Sequence, residues 1–427
     1  MTWNRWYGLK SYVGSSLWVI PFIALVLEQI VLRAALALSS ELDWTPIWPL
    51  AESATSTALQ TIITLSLSFL VFTFGSILVA IQVASGQLTP RIIATALLRD
   101  NVIRLTAGLF VFTMLFAIGA VARPSPSGPR LILWLAGFLG LASICAFLYL
   151  IDYAARLMRP GSILWRIAQD GRAVIEEVYP RPAKEADGGS RAPDLGAPDL
   201  TILHRGSAAV VIAINIPALV AEARRMDCLV ELVPRVGNFV GVGEPLFRIF
   251  DAKGAIDQRK LLSSVAFAPE RTIEQDATFA IRVIVDVASK ALSPAINDPT
   301  TGVLAIDQIH RLLRMIGQRH LHDEIVKDAD GQGRLVLRTP DWDDFVQLGC
   351  CEIRIYGGGN FQIARRLRAM IEDLLANLPE RRHPPLQQEL RLLDQIIERL
   401  YLSPEDKALA RKSDMQGLGG GTIVKPE

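Results

Sequence analysis

Charge is what this 427-residue chain has least of: Asp, Glu, Lys and Arg make up 20%, against about 25% in a typical soluble protein. The two signs nearly cancel, with 44 basic and 43 acidic residues and a net charge of +1. No global field exists to hold nucleic acid, so a nucleic-acid-binding reading starts weak and no such partner is expected. Cysteine is scarce too, at four residues. None forms a C-x-x-C pair, and the adjacent Cys350 and Cys351 are poorly placed to bridge each other, so a disulfide scaffold is excluded. The sequence has no G-x-S-x-G, no Walker A and no H-E-x-x-H motif. The glycines of 237–243 do not match a dinucleotide fingerprint. His320-x-His322 beside Asp323 and Glu324 is the only grouping with plausible ligands, and in a loop at a helix end it reads as solvated. The expectation is a protein with no catalytic residues, no bound metal and no cofactor.

Apolar residues, by contrast, are abundant: 51% of the chain, with a mean hydropathy of +0.31. The surplus lies almost entirely before residue 152. Four segments there reach the roughly 20 apolar residues that a membrane-crossing helix needs: Leu17–Leu38, Thr57–Ala84, Val102–Ala122 and Leu131–Ile151. Ala35-Leu36-Ala37 imitates a signal-peptide cleavage site, but the run before it is too long and contains Glu28 and Arg33, so a retained helix is expected. Arg5 and Lys10, then Arg91, Arg99 and Arg104, then Arg156, Arg159 and Arg166 mark the inner side. The loop Ser39–Ser56 carries Glu41, Asp43 and Glu52 with Trp44 and Trp48 as interfacial aromatics. Arg123 and Arg130 run against the scheme, yet the majority places both termini in the cytoplasm of a cell with this protein in its inner membrane.

The second span carries most information. At about 100° per residue, Thr57, Thr61, Thr64, Ser68, Gly75, Gln82 and Gly86 fall on one stripe, opposite Leu59, Ile63, Leu70 and Ile77. Small and hydroxylated residues let helices approach closely, and they also line watery paths; both readings stay open. Ionisable groups inside a span usually face protein or water. Arg33 is near enough to the outer end to snorkel, which leaves Glu28 as the better functional candidate. Asp152 and Arg156 read as an i,i+4 surface pair.

The remainder reads as a cytosolic α+β region. An amphipathic helix covers 153–179 and a linker Pro180–Asp199. Strands are expected at Ala208–Ile216, Cys228–Pro234 and Pro245–Phe250, with a short helix from Pro217 to Arg225. The run Val236-Gly237-Asn238-Phe239-Val240-Gly241-Val242-Gly243-Glu244-Pro245-Leu246 resembles the hairpin half of a biotinyl/lipoyl barrel-sandwich. With no lysine at a modifiable tip, a structural role is expected, with Gly237 and Gly243 in turns of positive φ. Helices follow at Arg271–Lys290, Pro299–Arg319, Asp341–Tyr356, Phe361–Leu378 and Leu386–Leu400. Between the first two, Ser293, Asn297, Asp298, Thr300 and Thr301 form either a ligand pocket at a helix N-terminus or a capped turn.

Three segments, Leu78–Arg91 (LVAIQVASGQLTPR), the hairpin 236–246 and Ala291–Thr301 (ALSPAINDPTT), resemble the bacterial predicted-membrane-protein family called domain of unknown function 2254. The resemblance extends over nearly the whole chain and implies no activity or substrate. The expected fold is an α-helical integral membrane protein: four transmembrane helices in 1–152, a connecting helix and linker in 153–199, a small barrel-sandwich-like β domain in 200–268, a helical cytosolic domain in 269–412 and a disordered tail in 413–427. The expected function is a homo-oligomeric channel or transporter-like protein with a cytosolic regulatory domain, its partners the lipid bilayer and further copies of itself. The alternative is a membrane-anchored scaffold or interaction protein without transport. An enzyme acting on lipid stands behind both, lacking a recognisable nucleophile or metal set.

Overall fold

The structure is a computed structural model that describes residues 2–16, 18–41, 52–87, 100–122, 130–157, 159–183, 195–321 and 325–419. The loop with Trp44 and Trp48, the basic segment with Arg91 and Arg99, Arg123, most of the 180–199 linker, the trio His322, Asp323 and Glu324, and residues 420–427 lie outside the described residues. The chain divides into two compact units, one of residues 12–86 and 90–162, the other of 1–11, 87–89 and 163–427.

The first unit holds α2 (Val19–Glu41), α3 (Glu52–Gln87), α4 (Asn101–Val121) and α5 (Arg130–Leu157). Each contains a stretch long and apolar enough to cross a bilayer: Val19–Leu38, Ser56–Val83, Asn101–Val121 and Leu131–Leu157. Half of the α4 stretch is buried, against about a fifth of each of the others, so α4 is the central post. Small residues set its approach to α2. A Cβ on Gly108 would lie 2.7 Å from Ile20 Cγ2, and one on Gly119 2.5 Å from Leu32 Cδ2. Without hydrophobic driving force between helices in lipid, this close van der Waals contact is what holds them. Aromatic rings fill the join of α3, α4 and α5, where Phe69 stacks on Phe147 at 4.2 Å and Phe110 lies 5.6 Å from Phe69. Asp100 starts α4 by accepting from the amides of Val102 and Ile103 at 2.9 and 3.2 Å, the ordinary N-cap arrangement.

The second unit begins with the first part of α1 (Trp3–Ser15), through residue 11, whose Trp3 and Tyr7 pack on Ile212, Ala213 and Ala266. It continues with α6 (Pro160–Val178), β1 (Leu200–Leu203), β2 (Ala209–Ile214), α7 (Ile216–Met226), β3 (Leu229–Leu232), β4 (Phe239–Val240), β5 (Pro245–Phe250), α8 (Gln258–Ser263) and β6 (Val265–Ala268). Then come α9 (Ala277–Ala291), α10 (Pro299–Gly317), β7 (Ile325–Lys327), β8 (Gly333–Leu337), α11 (Trp342–Gly357), α12 (Phe361–Asn377), α13 (His383–Leu400) and α14 (Pro404–Ala410). The described strands make a five-stranded sheet, order β1-β5-β3-β8-β7, and a three-stranded one, order β4-β2-β6. Neither closes into a barrel. All pairings are antiparallel except β3 with β8, where Val230 registers with Leu335.

Several expectations shift, each for a local reason. The amphipathic helix expected to continue from the membrane over 153–179 is two helices, because Pro160 lacks an N–H and disfavours helical geometry in the residue before it; it opens α6 instead. The helix expected from Arg271 begins at Ala277, where Asp276 caps it by accepting from Phe279 N at 3.0 Å. β8 joins the sheet beside β3 from beyond residue 268, the boundary expected for the β domain. The tail expected to be disordered from 413 is held through 419: Asp414 accepts from the amides of Gly417 and Gly419 at 3.0 and 2.8 Å, and Arg365 donates to the Gly419 carbonyl at 2.9 Å.

Candidate functional site

Helix α3 runs unbroken for 36 residues, about 54 Å at the usual rise. Its buried side is formed by Leu59, Ser66, Thr73 and Ile77, with Ile63 and Leu70 half-buried. The seven stripe positions, Thr57, Thr61, Thr64, Ser68, Gly75, Gln82 and Gly86, are all exposed. Helical periodicity therefore sorts the span as expected, and the polar face is the one turned away from the other spans. Three hydroxyls bond back to their own helix: Thr61 Oγ1 donates to the Thr57 carbonyl, Thr64 Oγ1 to that of Gln60 and Ser68 Oγ to that of Thr64, at 2.8, 2.9 and 2.8 Å. The hydroxyls are confined to the first half of the stripe. Beyond Ser68 the stripe continues as Gly75, Gln82 and Gly86, with Gly75 flanked by exposed Val71, Phe72, Leu78 and Val79.

The two intramembrane charges part company. Glu28, near the middle of its span, is 1% exposed. Its Oε2 accepts from Gln29 Nε2 at 2.7 Å, while Oε1 has no hydrogen-bond partner among the described residues. Gly119 leaves the room it occupies: a Cβ there would stand 3.1 Å from Oε1. Arg33 is exposed on another side of α2. Asp152 and Arg156 form the expected pair, both well exposed. Three polar contacts, buried or partly so, went unread in the sequence. Thr113 and Ser143 hydroxyls meet at 3.0 Å between α4 and α5. Tyr153 donates to Asp100 Oδ2 at 2.5 Å, and Arg104 donates to the Val13 carbonyl at 2.8 Å. Asp100 ahead of an apolar run was itself a legible cap signal; its tyrosine partner, 53 residues on, was not.

In the second unit, the segment Ser293–Thr301 is the turn between α9 and α10, and its polar groups answer one another. Asp298 accepts from Thr301 N at 3.1 Å and from Thr301 Oγ1 at 2.6 Å, Ser293 Oγ donates to the Lys290 carbonyl at 2.7 Å, and the Asp298 amide donates to the Ala291 carbonyl at 2.8 Å. Asn297 takes the left-handed conformation that closes the turn, with φ +49°, and Thr300 is exposed beside it. In the glycine hairpin, Gly237 and Gly243 have φ values of +87° and +86°, as the turn pattern implied. Gly237 meets a second demand: a Cβ would fall 2.2 Å from an Arg271 terminal nitrogen and 2.3 Å from Asp276 Oδ2. Among the described residues no group of three or more His, Cys, Asp and Glu side chains is placed to hold a metal ion.

A family model described as "Predicted membrane protein (DUF2254)" matches residues 14–373. Uncharacterized proteins of Mycobacterium bovis and Mycobacterium tuberculosis are each 24% identical to this chain over 430 residues, covering 95% of it and 81% of their own length. No solved structure matches the chain.

Proposed function

The chain belongs to the family of predicted membrane proteins DUF2254, and from that premise we propose that it works as a homo-oligomeric, channel- or transporter-like protein of the bacterial inner membrane. The observation that carries this reading is the outward polar face of α3. From Thr57 to Gly86 it extends about 44 Å, more than the roughly 30 Å of hydrocarbon. Hydroxyls and amides turned outward at that depth are better placed against protein or water than against lipid. A second copy supplies that surface, and several copies around an axis make a path with hydroxyls in one half and a constriction at Val71, Phe72 and Val79 in the other. One chain with four spans encloses too little by itself.

Under the same proposal both termini and the second unit lie in the cytoplasm, where that unit regulates the path, and the protein is not an enzyme. The barrel-sandwich likeness of the 236–246 hairpin enters as a structural device without lipoate or biotin. A scaffold reading has one observation in its favour: Thr61, Thr64 and Ser68 already satisfy their donors on their own helix, as hydroxyls do in dry helix interfaces.

Single cysteines at Thr61, Thr64 and Ser68, in a background lacking Cys145, Cys228, Cys350 and Cys351, separate these readings. A path requires labelling by a small membrane-impermeant thiol reagent at the stripe and none at Leu59, Ile63 or Leu70. Protection of the stripe together with cross-linking between copies through those cysteines supports the scaffold. Protection without cross-linking removes the oligomer itself.

A further inference from the structure

The second unit contains a polar cleft of about 560 Å³ that the reading above does not use. Arg235 and Asn238 of the glycine hairpin form one wall, Arg271 and Thr278 the approach to α9, and Gln347 and Cys351 of α11 the other wall. The carboxylates at and behind it are each paired with an arginine. Glu352 accepts from both terminal nitrogens of Arg282 at 2.5 and 2.7 Å. Asp344 Oδ2 accepts from Arg235 at 3.0 Å and from the Asp341 amide at 3.2 Å. Asp276, with its side chain 4% exposed, caps α9 with one oxygen and lies 3.3 Å from Arg271 with the other.

The guanidinium groups are not used up in the same way. Arg235 gives one of its N–H groups to Asp344, and among the described residues Arg271 meets Asp276 and, at 5.9 Å, the face of Phe279. Their side chains are 43% and 39% exposed. The cleft is therefore rich in donors and poor in spare acceptors. Local charge is close to balance, so what it selects is a group accepting several directed N–H bonds, which planar guanidinium forks give best to phosphate. A cation would have to displace an arginine to reach a carboxylate. The volume falls within the 300–1,000 Å³ or so of small-molecule sites, well beyond what inorganic phosphate fills, and Val236 and Leu348 add an apolar patch. Gly237 is why the hairpin closes this near: any side chain there would strike the Arg271–Asp276 pair.

We propose that this cleft binds a phosphate-bearing molecule up to about the size of a mononucleotide, its phosphate held between Arg235 and Arg271. The assignment is independent of whether α3 lines a path. The same chemistry comes from a soluble phosphate ester or from a lipid headgroup, and the test distinguishes the two. Inorganic phosphate and AMP are titrated calorimetrically into the full chain in phosphatidylcholine nanodiscs, with adenosine as control, while labelling of Cys351, half-buried at the wall, is followed by mass spectrometry. The expected result is that AMP binds, phosphate competes, adenosine does not, and Cys351 is protected. Arg235→Gln should weaken AMP by about tenfold or more, one charged hydrogen-bond arm being lost. Arg271→Gln strips the buried Asp276 of its partner, so its folding is checked by thermal unfolding and Arg235→Gln decides where it fails. If instead phosphatidylglycerol nanodiscs alone protect Cys351 and exclude AMP, the headgroup is the source. Absence of binding by phosphate and AMP with Cys351 equally reactive in both lipids overturns the proposal, as does binding that Arg235→Gln leaves unchanged.

Discussion

Gly237→Ala and Gly243→Ala make a matched pair, because the two glycines share a backbone conformation and differ in their surroundings. At Gly243 the φ is +86° and an added Cβ meets nothing within 4 Å among the described residues, so the conformational penalty applies, about 1 kcal/mol. At Gly237 the φ is +87°, and the Cβ would stand 2.2 Å from Arg271 and 2.3 Å from Asp276 Oδ2. Arg271 is flexible and can retreat, but doing so strips a buried carboxylate of its ion pair. Overpacking costs about 1–3 kcal/mol and the positive φ about 1, and the buried Asp276 loses its neighbouring charge, which puts Gly237→Ala near 3 kcal/mol. The local amide of Gly237, donating to the Val211 carbonyl at 2.7 Å, gives the readout. Hydrogen exchange of peptides spanning β2 and β4 should show opening raised about fivefold by Gly243→Ala and about a hundredfold by Gly237→Ala. Equal effects from the two substitutions would refute the steric argument and leave backbone conformation as the whole cause.

Three further outcomes are expected. Burial lowers the pKa of His310, outweighing its bond to Asp373, and Arg366 donates to its Nδ1 at 3.1 Å, a bond only the neutral ring can accept. The depressed folded-state value means that stability is full above about pH 6.5, the unfolded value, and falls as pH drops below it; His310→Gln should flatten that decline in the unfolding midpoint, and an unchanged slope counts against the assignment. Glu28→Met removes a buried oxygen that has no hydrogen-bond partner among the described residues while keeping an unbranched chain beside Gly119, so thermal stability in detergent should rise by about 1 kcal/mol; a loss of that size would mean Glu28 has a structural role the packing does not reveal. Alkaline phosphatase fused after Leu157 should be inactive in cells and active when fused within 42–51, and the reverse pattern rejects the proposed orientation.

Much of this architecture is legible because hydrophobic burial leaves periodic traces. The four spans follow from apolar length alone, and the two faces of α3 follow from angular bookkeeping, with Leu59 and Ile77 in and Thr61 and Ser68 out. Pro299 behind Asp298 announced its cap, and Gly237 and Gly243 announced their turns. The unread parts are those that depend on distant partners. β4 is two residues long, and β7 is three, so neither carries enough alternation to register; each is a strand because a longer neighbour pairs with it. The donor-rich cleft joins residues from 235 to 352, and nothing near Arg235 or Arg271 in the chain distinguishes them from solvated surface arginines. The outward aspect of the stripe needed the positions of the other spans.

The parallel pairing of β8 with β3 has a bearing on how the chain is made. β3 leaves the ribosome about a hundred residues before its neighbour β8, and throughout that interval one edge of the growing sheet stands without its ladder. Contacts of such wide sequence separation form late and slowly, and an unpaired edge is an invitation to another chain. Emerging α9 and α10 must therefore be accommodated before the sheet is complete, so synthesis halted between 268 and 333 yields a sticky intermediate rather than a smaller folded piece. Fragments meant for expression need to run through β8, and a premature stop in that window is expected to send the protein to proteolysis rather than to a partly working form.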